Sequence, residues 1–346
     1  MSLVAGEKRR ADELFRQALP FVRRDGESFE TAMVLSFLGE LACERGDVVE
    51  ARSLLGEGLA LARAMGAPFP MVRCLCGLAR VVLCEGDVAA AGLLADDSCA
   101  RANRSRLPYA HVRCLHAQGL VRLAAGDPPG AQASFDQSLA IARDILDEAG
   151  TAASCHHLAR LARARGNDER SASLHAEALA IQARIPDAGG VAGSLESLAG
   201  LAVTRGRHAH AARLFGAAQR IRDQAGSPVP PDEATGYQAD VASLHAEADA
   251  PLIEEAWAAG QALSMDEAVA LATKGRGPRD RPVLGWAALT PAERQVADLA
   301  AAGLTNNEIG EKLFLSGRTV QGHLLRIFPK LGVHSRRQLR DLDRNS

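Results

Sequence analysis

The sequence predicts an all-α protein: a solenoid of helix pairs, then a compact domain of four short helices. Three observations predict it. Turn signals recur with a period of forty residues through the first two-thirds of the chain. Alanine and leucine dominate while aromatic residues make up only 4% of the 346, a composition that favours helix throughout. The stretch from Leu289 to Leu342 carries a series of helix starts, each followed by apolar residues at helical spacing.

The repeat is set by Gly46-Asp47, Gly86-Asp87, Gly126-Asp127, Gly166-Asn167 and Gly206-Arg207. Five positions before each glycine stand Leu41, Val81, Val121, Leu161 and Leu201; five after stand Ala51, Ala91, Ala131, Ser171 and Ala211. Each unit therefore reads as helix, tight turn, helix, loop, with small residues where the two helices touch. A fixed period of this size signals an α-solenoid, the alternative being a bundle of the same helices. Gly6, Ala11, Leu14, Phe15 and Leu19 match Gly46, Ala51, Leu54, Leu55 and Leu59, so the chain is expected to begin in mid-repeat. An edge of that kind calls for a second chain to cover it, or for repeats that relatives possess and this polypeptide lacks.

The solenoid is assigned residues 1–225, and residues 226–273 a degenerate terminal unit. In that unit SPVPPDEATG breaks the phase, and helices are expected over Tyr237–Ala248 and Leu252–Leu263, with a last one from a Ser264/Glu267 capping box. A basic Gly/Pro linker follows at 274–287, and the four-helix domain occupies 288–346. In that domain Thr290-Pro291 with Glu293, and Thr305 with Glu308, have the chemistry of helix N-termini; Ser316 and Ser335 are further caps. Val296, Leu299, Ile309 and Leu313 supply core. Val320, Leu324, Ile327 and Leu331 form a stripe with the period of one buried helical face. Opposite that stripe lie Arg318, Gly322 and Leu325, flanked by Gln321 and Arg326. A small, polar or basic face of this kind suits a major groove.

These residues carry a resemblance. Leu289, Thr290, Glu293, Val296, Leu299, Gly303, Asn306, Glu308-Ile309, Leu313, Ser316, Thr319-Val320, His323, Ile327, Lys330-Leu331, Val333 and Arg336 are those of the LuxR-type (GerE-like) helix-turn-helix domain, which the segment closely resembles. Two positions depart from the pattern. Gly310 replaces the usual alanine, weakening its helix by up to about 1 kcal/mol. Pro329 is expected to kink the long helix near Leu325. The repeats resemble tetratricopeptide repeats, lengthened from the usual ~34 residues and without their tryptophan and tyrosine signature. Repeats followed by such a reader look like the C-terminal half of the large ATP-binding LuxR regulators of the maltose-regulator type. The sequence contains no phosphate loop, so ATP-driven switching is not carried over.

The resemblance implies double-stranded DNA as partner. The recognition helix is expected over Ser316–Phe328, entered from a helix over Thr305–Phe314. Thr319, Gln321, Gly322, Leu325 and Arg326 are the candidates for base readout: Gln321 can pair with adenine, Leu325 can meet a thymine methyl, and Gly322 lets the backbone approach. Thr305, Asn306, Asn307, Arg318, Lys330, Arg336 and Arg337 are the candidates for phosphate. In the family the last helix often pairs two readers on a two-fold site, which would make the protein a homodimer on DNA; Ser335–Leu342, with Leu339 and Leu342, is the candidate here. The solenoid would receive an effector or partner protein. The alternative is an interaction scaffold whose helix-turn-helix is vestigial.

Charge agrees with a nucleic-acid reader on a different kind of body. From Lys274 onward thirteen Lys/Arg face seven Asp/Glu, a balance of +6, so residues 1–273 of a chain with net charge −2 carry −8. Arginine greatly outnumbers lysine, as in proteins of G+C-rich bacterial genomes. No apolar run approaches the ~18 residues of a membrane span, and no signal-peptide pattern opens the sequence, which predicts a cytoplasmic protein. Cys43, Cys74, Cys76, Cys84, Cys99, Cys114 and Cys155 form no CxxC pair and read as small core residues. The close histidine pairs, His156-His157 and His208/His210, read as solvated or packed side chains; His323 reads as orienting the recognition helix. No catalytic constellation, metal site or cofactor is predicted.

Overall fold

The computed structural model describes residues 3–24, 28–185, 187–273, 291–313, 317–331, 333 and 336–340, and the chain divides into two compact units, Met1–Gly275 and Arg276–Ser346. Helices and their connections account for every described residue.

The first unit opens with α1 (Leu3–Arg24) and continues as five helix pairs. These are α2 (Phe29–Arg45) with α3 (Val48–Ala64), α4 (Pro68–Cys84) with α5 (Val88–Ser105), α6 (Pro108–Ala124) with α7 (Pro128–Asp144), α8 (Glu148–Ala164) with α9 (Asp168–Gln182), and α10 (Ala188–Thr204) with α11 (His208–Ala225). The turn glycines make each pair. Gly46, Gly86, Gly126, Gly166 and Gly206 have φ between 68° and 86°, the left-handed region that side chains resist. The next residue then starts the second helix: Asp47, Asp87, Asp127 and Asn167 accept a backbone N–H three residues on. Arg207 breaks this rule and leaves α11 without a side-chain cap.

Small residues set the distance within a pair. Ala51, Ala91, Ala131, Ser171 and Ala211 are all fully buried at the crossing. At Gly119 a Cβ would strike the Phe135 ring, so glycine on α6 makes the space that the largest side chain of α7 fills. The first helices α2, α4, α6, α8 and α10 also touch one another in sequence and form one layer of the solenoid. Across it, α1 meets α11, where Arg9 Nη2 donates to the Gln224 carbonyl at 3.5 Å.

Three expectations need correction. Gly6, matched to the turn glycines, lies inside α1 rather than in a turn. Cys84 is exposed, and Cys43 and Cys99 are half-buried; Cys74, Cys76, Cys114 and Cys155 are core residues. The segment SPVPPDEATG is a loop only up to Pro230, because α12 (Pro231–Glu247) begins six residues before the expected Tyr237. Proline at the first helical position sacrifices no hydrogen bond, and the acids behind it suit a helix N-terminus.

α12 also leaves the regular stack. The helix that packs fully on α11 is α13 (Ala250–Gln261): a Cβ on Gly216 would collide with the Trp257 carbonyl, and one on Gly260 with the Arg213 carbonyl. α14 (Met265–Thr273) then packs against α9, α10 and α11, begun by the expected capping box, with Ser264 N donating to Glu267 Oε2 at 2.8 Å. α12 instead lies along α10. Its Glu233 and Asp240, two turns apart and so on one side, reach across to α8. Glu233 Oε1 accepts from His156 Nε2 at 2.9 Å and Arg160 Nη1 at 3.2 Å; Asp240 takes both Nη1 and Nη2 of Arg163 at 2.6 Å. Gly200 makes this possible, since a Cβ there would collide with both Asp240 and Arg163. Burial alone would raise the Glu233 carboxyl, but His156, Arg160 and Arg222 bring it down to about 2.

Candidate nucleic-acid interface

The second unit is built from α15 (Pro291–Ala301), α16 (Asn306–Leu313), α17 (Gly317–Leu331) and α18 (Arg336–Arg340). Its core is the set of apolar positions read from the sequence: Val296, Ile309, Val320 and Ile327 are fully buried, with Leu324, Leu331 and Val333 nearly so, and Leu299 and Leu313 packed on them. The stripe on α17 is therefore its inward face. The helix runs unbroken through Pro329 to Leu331, three residues beyond the expected end. A proline this close to a C-terminus costs only the bond to Leu325, and the turn closes behind it with Val333 N donating to the Phe328 carbonyl at 3.0 Å.

The approach to α16 is defined by two devices. Gly303, at φ 96°, ends α15, and its N–H donates to the Ala300 carbonyl at 3.1 Å. Thr305 and Glu308 then form the expected reciprocal cap: Thr305 N donates to Glu308 Oε2 at 2.7 Å and Glu308 N to Thr305 Oγ1 at 3.3 Å. The backbone bond from Thr305 holds the Glu308 carboxyl below its usual range. Thr305 and Asn307 are exposed and Asn306 half-buried, which leaves the α16 N-terminus open to solvent.

Besides Thr305, three of the expected phosphate ligands have internal partners: Lys330, Arg336 and Asn306. Lys330 Nζ donates to Glu293 Oε2 at 2.7 Å; that carboxylate is nearly buried, so the ammonium neutralises it and ties the end of α17 to the first turn of α15. Glu293 was expected to close a cap with Thr290, which lies outside the described residues. Arg336 donates to the Leu304 carbonyl at 2.6 Å and to Asn306 Oδ1, clasping the turn between α15 and α16. Neither role was visible in the sequence, because each joins residues more than two dozen positions apart.

On α17, Gln321 is exposed, and a Cβ built on Gly322 meets nothing within 4 Å. Arg318, Thr319, Leu325 and Arg326 lie on the same helix and Arg337 on α18, but their side chains, like those of His323 and Pro329, fall outside the described set. Phe314, Ser316, Ser335 and Leu342 lie outside the described residues. Leu339, expected to face a second copy, is 1% exposed and belongs to the domain's own core.

A family model for bacterial regulatory proteins, luxR family, matches residues 287–342, and a tetratricopeptide-repeat model matches 151–185. An HTH-type transcriptional regulator of Mycobacterium tuberculosis is 51% identical over 106 residues, covering 31% of this chain and 12% of that protein. The chain thus spans only a small part of that relative's length. The DNA-binding transcriptional activator DevR/DosR of the same organism is 38% identical over 73 residues, 20% of this chain and 32% of that protein. The spore germination protein GerE of Bacillus subtilis is 42% identical over 50 residues, 14% of this chain and 68% of that protein. No helix among the described residues is long and apolar enough to cross a membrane. Through a domain that aligns with more than two-thirds of a whole member, the chain belongs to the luxR family of bacterial regulatory proteins.

Proposed function

We propose that the protein is a sequence-specific DNA-binding transcription regulator, with residues 1–225 and 226–273 as a sensing or docking body, 274–287 as linker and 288–346 as reader. The observation that carries this reading is α17: one face is the domain core, while Gln321 is exposed and Gly322 has open space beside it. A helix of this form can enter a major groove with Thr319, Gln321, Gly322, Leu325 and Arg326 toward the bases. Thr305, Asn306 and Asn307 at the open N-terminus of α16, with Arg318 and Arg337, take phosphates. Lys330 and Arg336 hold the reader in shape through Glu293, Leu304 and Asn306, and any phosphate they meet is a second partner.

Two readers on a two-fold operator complete the proposal. Because Leu339 is committed to the core, the pairing surface must be formed by other residues. The test is selection of duplex fragments by the purified full-length chain from sheared bacterial genomic DNA. The expected result is enrichment of a two-fold symmetric sequence, with affinity falling steeply as salt rises because several phosphates are neutralised. Recovery of fragments with no shared sequence would overturn the reading.

A further inference from the structure

Reading DNA leaves the histidines of the first unit without a role. His116 and His156 occupy equivalent positions of successive repeats, and His157 and His175 pack beside them. Ring centroids are 4.9 Å apart for His116 and His157, and 5.2 Å for both His156–His157 and His156–His175. His116 Nε2, His156 Nδ1 and both ring nitrogens of His175 are buried with no hydrogen-bond partner. Folded proteins hold few such atoms, because each forgoes the hydrogen bonds it made to water, so several in one place call for a ligand.

The donors converge. One ring nitrogen each from His156 and His157 and a carboxylate oxygen of Glu233 lie within 4.8 Å of one another. Two imidazoles and a carboxylate match the donor preferences of zinc and its neighbours, and unlike an all-oxygen set they do not suit calcium or magnesium.

We propose that His156, His157 and Glu233 bind a divalent transition-metal ion of the zinc class, with the fourth position left to water or to the buried His175. Donors around a tetrahedral zinc with bonds near 2.0 Å stand roughly 3.3 Å apart, so binding needs only a small adjustment of a set already within 4.8 Å. Arg160, which now donates to Glu233 at 3.2 Å, turns aside, and the doubly charged ion takes its place. The ion would join α8 to α12 and so govern the helix that departs from the regular stack. The site stands whether or not the chain reads DNA.

The experiment is a titration of the tag-free, chelator-treated full-length chain with Co2+ alone, followed by displacement with Zn2+. The expected result is uptake of a single equivalent, with visible ligand-field bands of a nitrogen- and oxygen-ligated ion, no thiolate-to-cobalt charge transfer, and a higher thermal midpoint. Glu233→Gln and His157→Gln should each weaken binding by more than about tenfold, since even outer-shell partners of metal ligands contribute that much. Cys155→Ala, at a buried thiol packed among apolar side chains, should leave cobalt uptake and its bands unchanged. The proposal is overturned if the chain takes up no saturable cobalt, if the bands carry a thiolate signature, or if Glu233→Gln binds as the parent does. Glu233 lies on the largely exposed α12, so this variant decides the matter even if His157→Gln fails to fold, with helicity checked by circular dichroism.

Discussion

The five regular helix pairs and the terminal segment from Gly226 to Thr273 differ in what sets their packing. In the pairs, a left-handed glycine, joined in four of the five by a side-chain cap, builds each second helix onto its neighbour, and small residues at the crossing set the distance. In the terminal segment α12 has the position in sequence of another first helix, yet α13 packs on α11 in its place. The difference comes from side chains on the receiving helices. Gly216 with Gly260 lets α13 approach until backbone meets backbone, while Gly200 on α10 opens a seat for Asp240 and its partner Arg163. A repeat is therefore ended by changing the surface it would stack on, as much as by changing its own sequence.

That contrast can be broken at graded cost. Phe135→Ala removes the largest fully buried side chain of a regular pair and should lower unfolding free energy by about 3–5 kcal/mol, read by urea denaturation. Gly216→Ala forces a methyl against the Trp257 carbonyl, and overpacking of this kind costs about 1–3 kcal/mol. Hydrogen exchange should place that loss in residues 250–273, with α2 to α7 unchanged; an even loss across the unit would contradict the account of the terminal segment. Asp240→Asn weakens a half-buried bidentate pair, for an expected cost of about 1–2 kcal/mol and faster exchange confined to α12. Arg52→Ala removes a link between successive repeats whose partners, Arg52 and Glu85, are both largely exposed; denaturation should move by less than about 1 kcal/mol.

Local chemistry explains what the sequence disclosed. The period was legible because each turn needs a glycine at the same place, and the Thr305/Glu308 and Ser264/Glu267 caps because their partners are three residues apart. The buried stripe of α17 was legible from helical periodicity alone. The path of α12 was not, because it depends on Asp240 meeting Arg163 and on the absence of a side chain at Gly200. The histidine cluster lay between these cases. The forty-residue spacing of His116 and His156 was available in the sequence, but Glu233 reaches His156 only through the fold. In the reader, Lys330 and Arg336 showed their charge and hid their partners.

The meeting of α1 with α11 has a consequence for how the first unit comes apart. In an open repeat array each unit touches only its neighbours, so the array can fray inward from either end, one repeat at a time. Here releasing α1 also uncovers α11, some two hundred residues away, beside the Arg9–Gln224 contact. Fraying of α1 thus exposes α11, which couples these two helices into one cooperative step. A disturbance of α1 is then felt at α11 as well.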